Sequence, residues 1–331
     1  MNIGIIGATS MAAVLLTGCM GGSKPDQSFN SAGTVIPEKI MVGTFSKSPQ
    51  ADILGDVDDF SKDKRVFVPF FKVAFIKEAG ESARETAMFG DANVNVHVRS
   101  KLEGVSESAL QRITDAAYSD LNKQLSAAGY EVLNKQDFSA SKTYKGLDSD
   151  YPDVDDDVSE YTPTGMKFPG AFSVGSVTGN ILADVKAAAI RADYTVNFVS
   201  FGKSSRESYG GVEASVSVGQ VANVSGSLNG ASYATAECNS FNGCWGKQVD
   251  LRMGQATYSE KPFGKLVDSQ TSGEKTALAA TAVLGALLGS SSKTSFSTYS
   301  LIADESKYEA AATEALQLAN TRFVDALKAS N

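Results

Sequence analysis

The side chains best placed to do chemistry are cysteines. Leu16-Thr17-Gly18-Cys19 closes an apolar N-terminal run and has the form of a lipobox. In such a segment the chain is cut before the cysteine, and the thiol forms a thioether to diacylglycerol. Residues Ile3 to Leu16 are mostly apolar or small, and no charged side chain precedes Lys24. That is the hydrophobic core of a cleavable export signal. The run is shorter than the roughly 20 apolar residues a bilayer-spanning helix needs. Each buried CH₂ of an attached acyl chain contributes about 0.8 kcal/mol, so two or three chains hold a protein firmly. The only positive charge ahead of the run is the amino group of Met1. The alternative is an N-terminal core strand with a buried cysteine. Met20-Gly21-Gly22-Ser23 and the polar stretch that follows favour the anchor.

The other two cysteines, Cys238 and Cys244, enclose Asn-Ser-Phe-Asn-Gly. In an oxidising compartment this spacing reads as a disulfide at a loop or hairpin tip. Two thiols and one distant histidine cannot supply four zinc ligands. Trp245 follows directly, either as an exposed recognition aromatic or, the favoured reading, as a cap on the hairpin core. His97 is the single histidine and falls on the polar side of an alternating strand, where it reads as a surface residue rather than a general base. Asp148, Asp150, Asp153, Asp155, Asp156, Asp157 and Glu160 crowd one stretch without the glycine and terminal acid of a calcium loop. They read as a solvated loop, not a metal site. Gly202-Lys203-Ser204 lacks the upstream glycine of a phosphate loop, since position 197 is asparagine. No cofactor is expected. The chain carries a formal charge of −8, which argues against nucleic acid, whose phosphates need clustered Lys and Arg.

The elements that must carry these residues follow from periodicity. Arg65 to Ile76 is rich in Val and Phe and reads as a buried strand, with Pro69 marking an edge or a bulge. Lys77 to Asp91 reads as a polar loop. Asn93 to Leu102 alternates as a half-wet strand. Ser106 to Ala128 is a helix with Leu110, Ile113, Ala117, Leu121 and Leu125 on one stripe, capped by Ser106 and ended by Gly129. A short strand follows at Tyr130 to Leu133. Gly179 to Ala192 reads as an amphipathic helix and Asp193 to Phe201 as a strand. Val212 to Tyr258 alternates over long stretches, as Val212, Ala214, Val216, Val218 and again Val249, Leu251, Met253. It is either a membrane-inserted hairpin closed by oligomerisation or a sheet packed on the soluble core, and the second is favoured. Ala277 to Leu288 is too short to span a bilayer and reads as a buried or interface helix. Lys307 to Ala329 closes the chain as an amphipathic helix.

These readings divide the chain into a signal (1–18), a lipid-anchored tether (19–63), an α/β periplasmic layer (64–202) with an acidic insert (139–168), an extended β-hairpin region with the cysteine loop (203–260), and a C-terminal helical segment (261–331). The expected fold class is α+β, a mixed sheet and helices with a long β-hairpin and a C-terminal helix.

The order of a lipobox, a Val/aromatic strand, a helix and strand, then Arg191-Ala-Asp-Tyr-Thr-Val-Asn-Phe198, a Gly/Ser-rich alternating segment after Gly210-Gly211-Val212 and a C-terminal helix resembles the curli-secretion channel lipoproteins of the outer membrane. The acidic insert and the cysteine loop depart from that order. The resemblance implies a periplasmic α/β body, ring assembly and no catalysis. The expectation is therefore a non-enzymatic outer-membrane lipoprotein of assembly or secretion. Its partners would be the bilayer, through Cys19, and copies of itself or other envelope proteins. A periplasmic ligand-binding or adhesive lipoprotein and a periplasmic hydrolase are the alternatives.

Overall fold

The computed structural model describes residues 25–26, 29–34, 51–55, 60, 62–86, 93–148, 151–169, 174–208, 211–239, 243–270 and 292–328. The lipobox with Cys19, and the apolar run Ala277 to Leu288, lie outside the described residues. The described elements begin with β1 (Pro25–Asp26), β2 (Phe29–Thr34), β3 (Ala51–Gly55), β4 (Arg65–Ile76), β5 (Glu78–Thr86), β6 (Asn93–Glu103), α1 (Glu107–Ala127) and β7 (Glu131–Val132). Next come α2 (Lys135–Ser139), α3 (Lys142–Lys145), β8 (Asp153–Val154), β9 (Val158–Tyr161), α4 (Val174–Val185), β10 (Ala188–Ser208) and β11 (Gly211–Ala231). The chain continues through β12 (Glu237–Asn239), β13 (Gly243–Trp245), β14 (Gln248–Met253), β15 (Thr257–Ser259), β16 (Gly264–Asp268), β17 (Ser292–Ala303) and α5 (Glu305–Lys328). The fold is α+β: a large mixed sheet, a four-stranded sheet and two long helices.

The large sheet runs β3-β14-β11-β10-β4-β9-β8, with β1, β2 and β15 also on β11 and β7 on β4. At its centre β10 and β11 form an antiparallel hairpin of 21 residues a side, paired from Ala189↔Ala231 to Ser208↔Gly211 with one register shift between Asn197 and Val199. β4 lies parallel to β10, and β4 carries an extra residue between Phe67 and Phe70, opposite Ala189 to Arg191. Pro69 sits in that irregularity, so the proline marks a bulge in an interior strand rather than an edge. The bulge switches the parity of each face: Val66 and Val68, then Phe71, Val73 and Phe75, enter one core, Phe67 and Phe70 the other.

The first core lies beneath α1 and α5. α1 starts at the Ser106 N-cap, whose hydroxyl accepts from the Ala109 N–H, and Gly129 follows with φ +95°. Its Leu110, Ile113, Ala117, Leu121 and Leu125 stripe is buried beside Tyr308, Leu316 and Phe323 of α5. Asn320, on α5 and fully buried, accepts from the Tyr194 hydroxyl at 2.6 Å and donates to Ala117 O at 3.0 Å and Asp120 Oδ2 at 2.8 Å. One amide thereby ties sheet and both helices together.

The four-stranded sheet, β16-β17-β6-β5, packs on the outer half of the β10–β11 hairpin. Val212, Ala214, Val216 and Val218 share a core with Val94, Val96, Val98 and Ala83. Each valine so buried contributes roughly 1.5–3 kcal/mol. Lys203 on β10 reaches Glu81 on β5 at 3.3 Å across the same junction.

Four expectations change. Lys77 to Asp91 is not a polar loop throughout: Glu78 to Thr86 pairs along β6, and its small Ala79 and Ala83 suit an edge strand over a core. The helix expected over 179–192 spans Val174–Val185, and residues 188–192 are already β10. The acidic insert 139–168 is not simply solvated, because Tyr144, Tyr161, Met166 and Phe168 are buried. In the stretch read as a tether, β1, β2 and β3 pair with the large sheet.

Burial pushes the Tyr118 phenol up to about 12. An unfolded phenol titrates near 10, so this group's contribution to stability is complete below about pH 10 and is lost as pH rises through about 12. Urea midpoints measured against pH should decline over that window, and Tyr118→Phe should flatten the decline. An equally steep decline in the variant would refute the assignment.

Candidate functional site

Of the residues singled out in the sequence, Cys238, Cys244 and Trp245 come together at one end of the large sheet. Beyond the Ala231↔Gln248 pair the chain leaves the sheet, turns at 232–236 and forms the two-stranded β12–β13 hairpin. Cys238 and Cys244 face each other across it and are bonded. Three devices hold the hairpin. Asp63, 6 % exposed, accepts from Ser232 Oγ at 2.6 Å and from the Ala234 N–H at 3.0 Å. The Thr235 hydroxyl accepts from the Lys247 N–H at 3.0 Å, closing the neck. Gly179 of α4 lies so near the hairpin that a Cβ there would sit 1.8 Å from the Cys244 carbonyl oxygen.

Trp245 is 45 % exposed. That exposure is against the favoured reading of a buried cap on the hairpin core. An exposed indole on a braced hairpin offers a large flat contact surface at low entropic cost.

Beside the hairpin lies a ledge of about 380 Å³, lined by Thr178, Arg191, Asp193, Asn229 and Gln248 among others. Arg191 donates to Asp193 at 2.6 Å and its guanidinium stacks 5.0 Å over Phe168. Lys72 approaches the same ring at 5.5 Å and pairs with Glu160 at 2.8 Å, while Tyr151 donates to Glu160 at 3.2 Å. Burial, and then Glu160, push the Tyr151 phenol up to about 12, so it stays a donor. The charges in this cluster are paired, which suits a neutral polar ligand better than a phosphate.

The remaining candidates are apart from this end. His97 lies on the outer face of the four-stranded sheet, stacked on Phe296 with ring centroids 4.8 Å apart. A groove of about 850 Å³ runs between 256–262 and α5, where Lys261 pairs with Glu314 at 3.2 Å and Arg322 donates to Gln255 O. Among the described residues no group of three or more His, Cys, Asp or Glu could hold a metal ion. Asp63 and the Arg191–Phe168 stack escaped sequence reading because their partners lie far along the chain, and no local pattern marks them.

No family model, curated protein or solved structure matches this chain.

The cross-link closes a short loop, with six residues of separation. Chain-entropy reasoning puts its stabilisation at about 2–3 kcal/mol. Replacing both cysteines by alanine should lower the denaturant midpoint accordingly at unchanged slope, and reducing the wild-type protein should reproduce the shift. No shift in either case would mean that Asp63 and α4 alone hold the hairpin.

Proposed function

We propose that this chain is an outer-membrane lipoprotein, held by an acylated Cys19 and facing the periplasm, that acts without catalysis as an assembly component and builds homo-oligomeric rings associated with secretion. The observation that carries the assembly reading is the four-stranded sheet, whose outer strands β5 and β16 bond no further strand among the described residues. Open edges present rows of backbone N–H and C=O groups, a template for pairing with another chain. The two edges differ, so pairing β5 of one copy with β16 of the next is head-to-tail, and such contacts give rings when the rotation closes. The Cys238–Cys244 bond supports an oxidising compartment, and the lipobox and the order of elements support the envelope.

The ledge beside β12–β13 favours a second reading, a ligand-binding lipoprotein. Amide and guanidinium donors, a carboxylate and the nearby exposed Trp245 match the hydroxyls and apolar faces of a sugar.

Full-length protein expressed with a labelled fatty acid should carry the label, and Cys19→Ser should not. Extracted in mild detergent, the wild-type particle should run at several times the chain mass and show rings by electron microscopy. A labelled but strictly monomeric particle would refute assembly. Binding of envelope polysaccharide lost in Arg191→Ala would favour the ligand reading instead.

A further inference from the structure

We infer that the groove between β15 and α5 is a binding site for an aliphatic carboxylate, with Arg322 holding the carboxylate and Leu318 supporting the chain. The site is separate from the ledge beside β12–β13. It depends neither on the lipid anchor nor on assembly.

The contacts across the groove fix its two ends. Arg322 donates to Gln255 O, just before β15. The Thr257 hydroxyl donates to Ala315 O at 2.8 Å, and the Ser259 hydroxyl to Glu314 Oε2 at 2.5 Å. Strand and helix therefore run in opposite directions along the groove. At one end Glu314 is fully engaged. It accepts from Ser259 and pairs with Lys261 at 3.2 Å, while the Lys261 N–H donates to Ser259 Oγ at 3.3 Å. The Ser259 hydroxyl first, and then Lys261, hold the Glu314 carboxyl below its ordinary range.

At the other end is a cation without an acid. Arg322 is half-buried and lines the groove. A guanidinium carries five N–H donors, and among the described residues this one bonds only Gln255 O. Asp325, about one turn on, pairs with Lys328 at 3.4 Å instead. Glu260, also in the lining, is likewise engaged. Arg112 and Arg252 are pushed up by the carboxylates they bond, Glu309 and Asp250. Burial pushes Arg322 down, and no carboxylate among the described residues opposes it. A partly desolvated guanidinium with spare donors is costly to leave unpaired. A ligand carboxylate, taken by two parallel N–H···O bonds, matches it.

The middle of the groove selects the rest of the ligand. Eight residues of helix separate Glu314 from Arg322, about 12 Å along the axis. Leu318 lies midway, four residues from each and so on the same face, and is 47 % exposed. Ala256 and Pro262 line the groove with it. The Thr257 and Thr321 hydroxyls are taken up by helix carbonyls, Ala315 O and Gln317 O. Apolar surface with its neighbouring hydroxyls already bonded fits a hydrocarbon chain rather than a sugar or a peptide. The volume of about 850 Å³ accommodates a small molecule.

Octanoate and octanol share a chain and differ in the head group. Each would be titrated calorimetrically into the full-length protein. Octanoate should bind saturably, and octanol about tenfold more weakly or worse. Arg322→Gln keeps a donor for Gln255 O and removes the charge. It should weaken octanoate by about tenfold or more and leave octanol unchanged. Leu318→Ser, at an exposed position, should weaken both several-fold. Equal affinity of the wild type for acid and alcohol would overturn the site, and that comparison needs no variant to fold. Octanoate binding unaltered in Arg322→Gln, or no saturable octanoate binding at all, would overturn it equally.

Discussion

The β10–β11 ribbon is covered along almost its whole length, and the rest of the structure depends on that burial. Near the base, Ile190, Ala192, Tyr194, Val224 and Leu228 lie under the helical layer. Farther out, Val212, Ala214, Val216 and Val218 lie under the four-stranded sheet. A lone two-stranded ribbon is marginal in water. This one stands because two separate layers cover it in turn, on either side of the register shift between Asn197 and Val199. The period-two pattern makes the register unforgiving, since a one-residue slip would move every valine to the wrong side.

That pattern was legible in the sequence, as were the stripes of α1 and α5 and the aromatic strand β4. The failures have physical causes. β5 carries Ala79 and Ala83 inward but also Glu81 and Glu85 in the alternating positions, so no hydrophobic alternation announces a strand. It exists because β6 supplies its hydrogen bonds. The end of α4 was missed because Lys186, not glycine, takes the left-handed conformation there, with φ 55°. Ala187 to Ile190 then reads equally well as helix or strand until the neighbouring β4 decides it.

The insert after α1 gives a different lesson. Phe138, Tyr144 and Phe168 are scattered among acids and lysines at no regular spacing, yet they pack with Phe67 and Phe70 into a second core. Counting acidic residues suggests solvent. Counting aromatics finds the contacts that hold the segment: Phe138 lies 5.3 Å from Tyr144, and Phe70 lies 5.8 Å from Phe168. The described aspartates, Asp148, Asp153, Asp155, Asp156 and Asp157, stay exposed at the rim. Among the described acids of the insert only Glu160 is drawn in, through Lys72 and Tyr151.

The polar devices of the fold divide along the same axis as its layers. Asn320 and Tyr194 lock the middle, where sheet and helices meet. Asp63 and the disulfide lock the far terminus, where a small hairpin with little core of its own must hold an exposed indole steady. Such bracing costs conformational entropy and contributes nothing to the main core, so its return lies in a fixed surface. The tip end is built the other way: strands β5, β6, β10, β11 and β17 terminate there together, with β1 joining beside them. A body with a braced hairpin at one terminus and converging strand ends at the other is polar in the geometric sense.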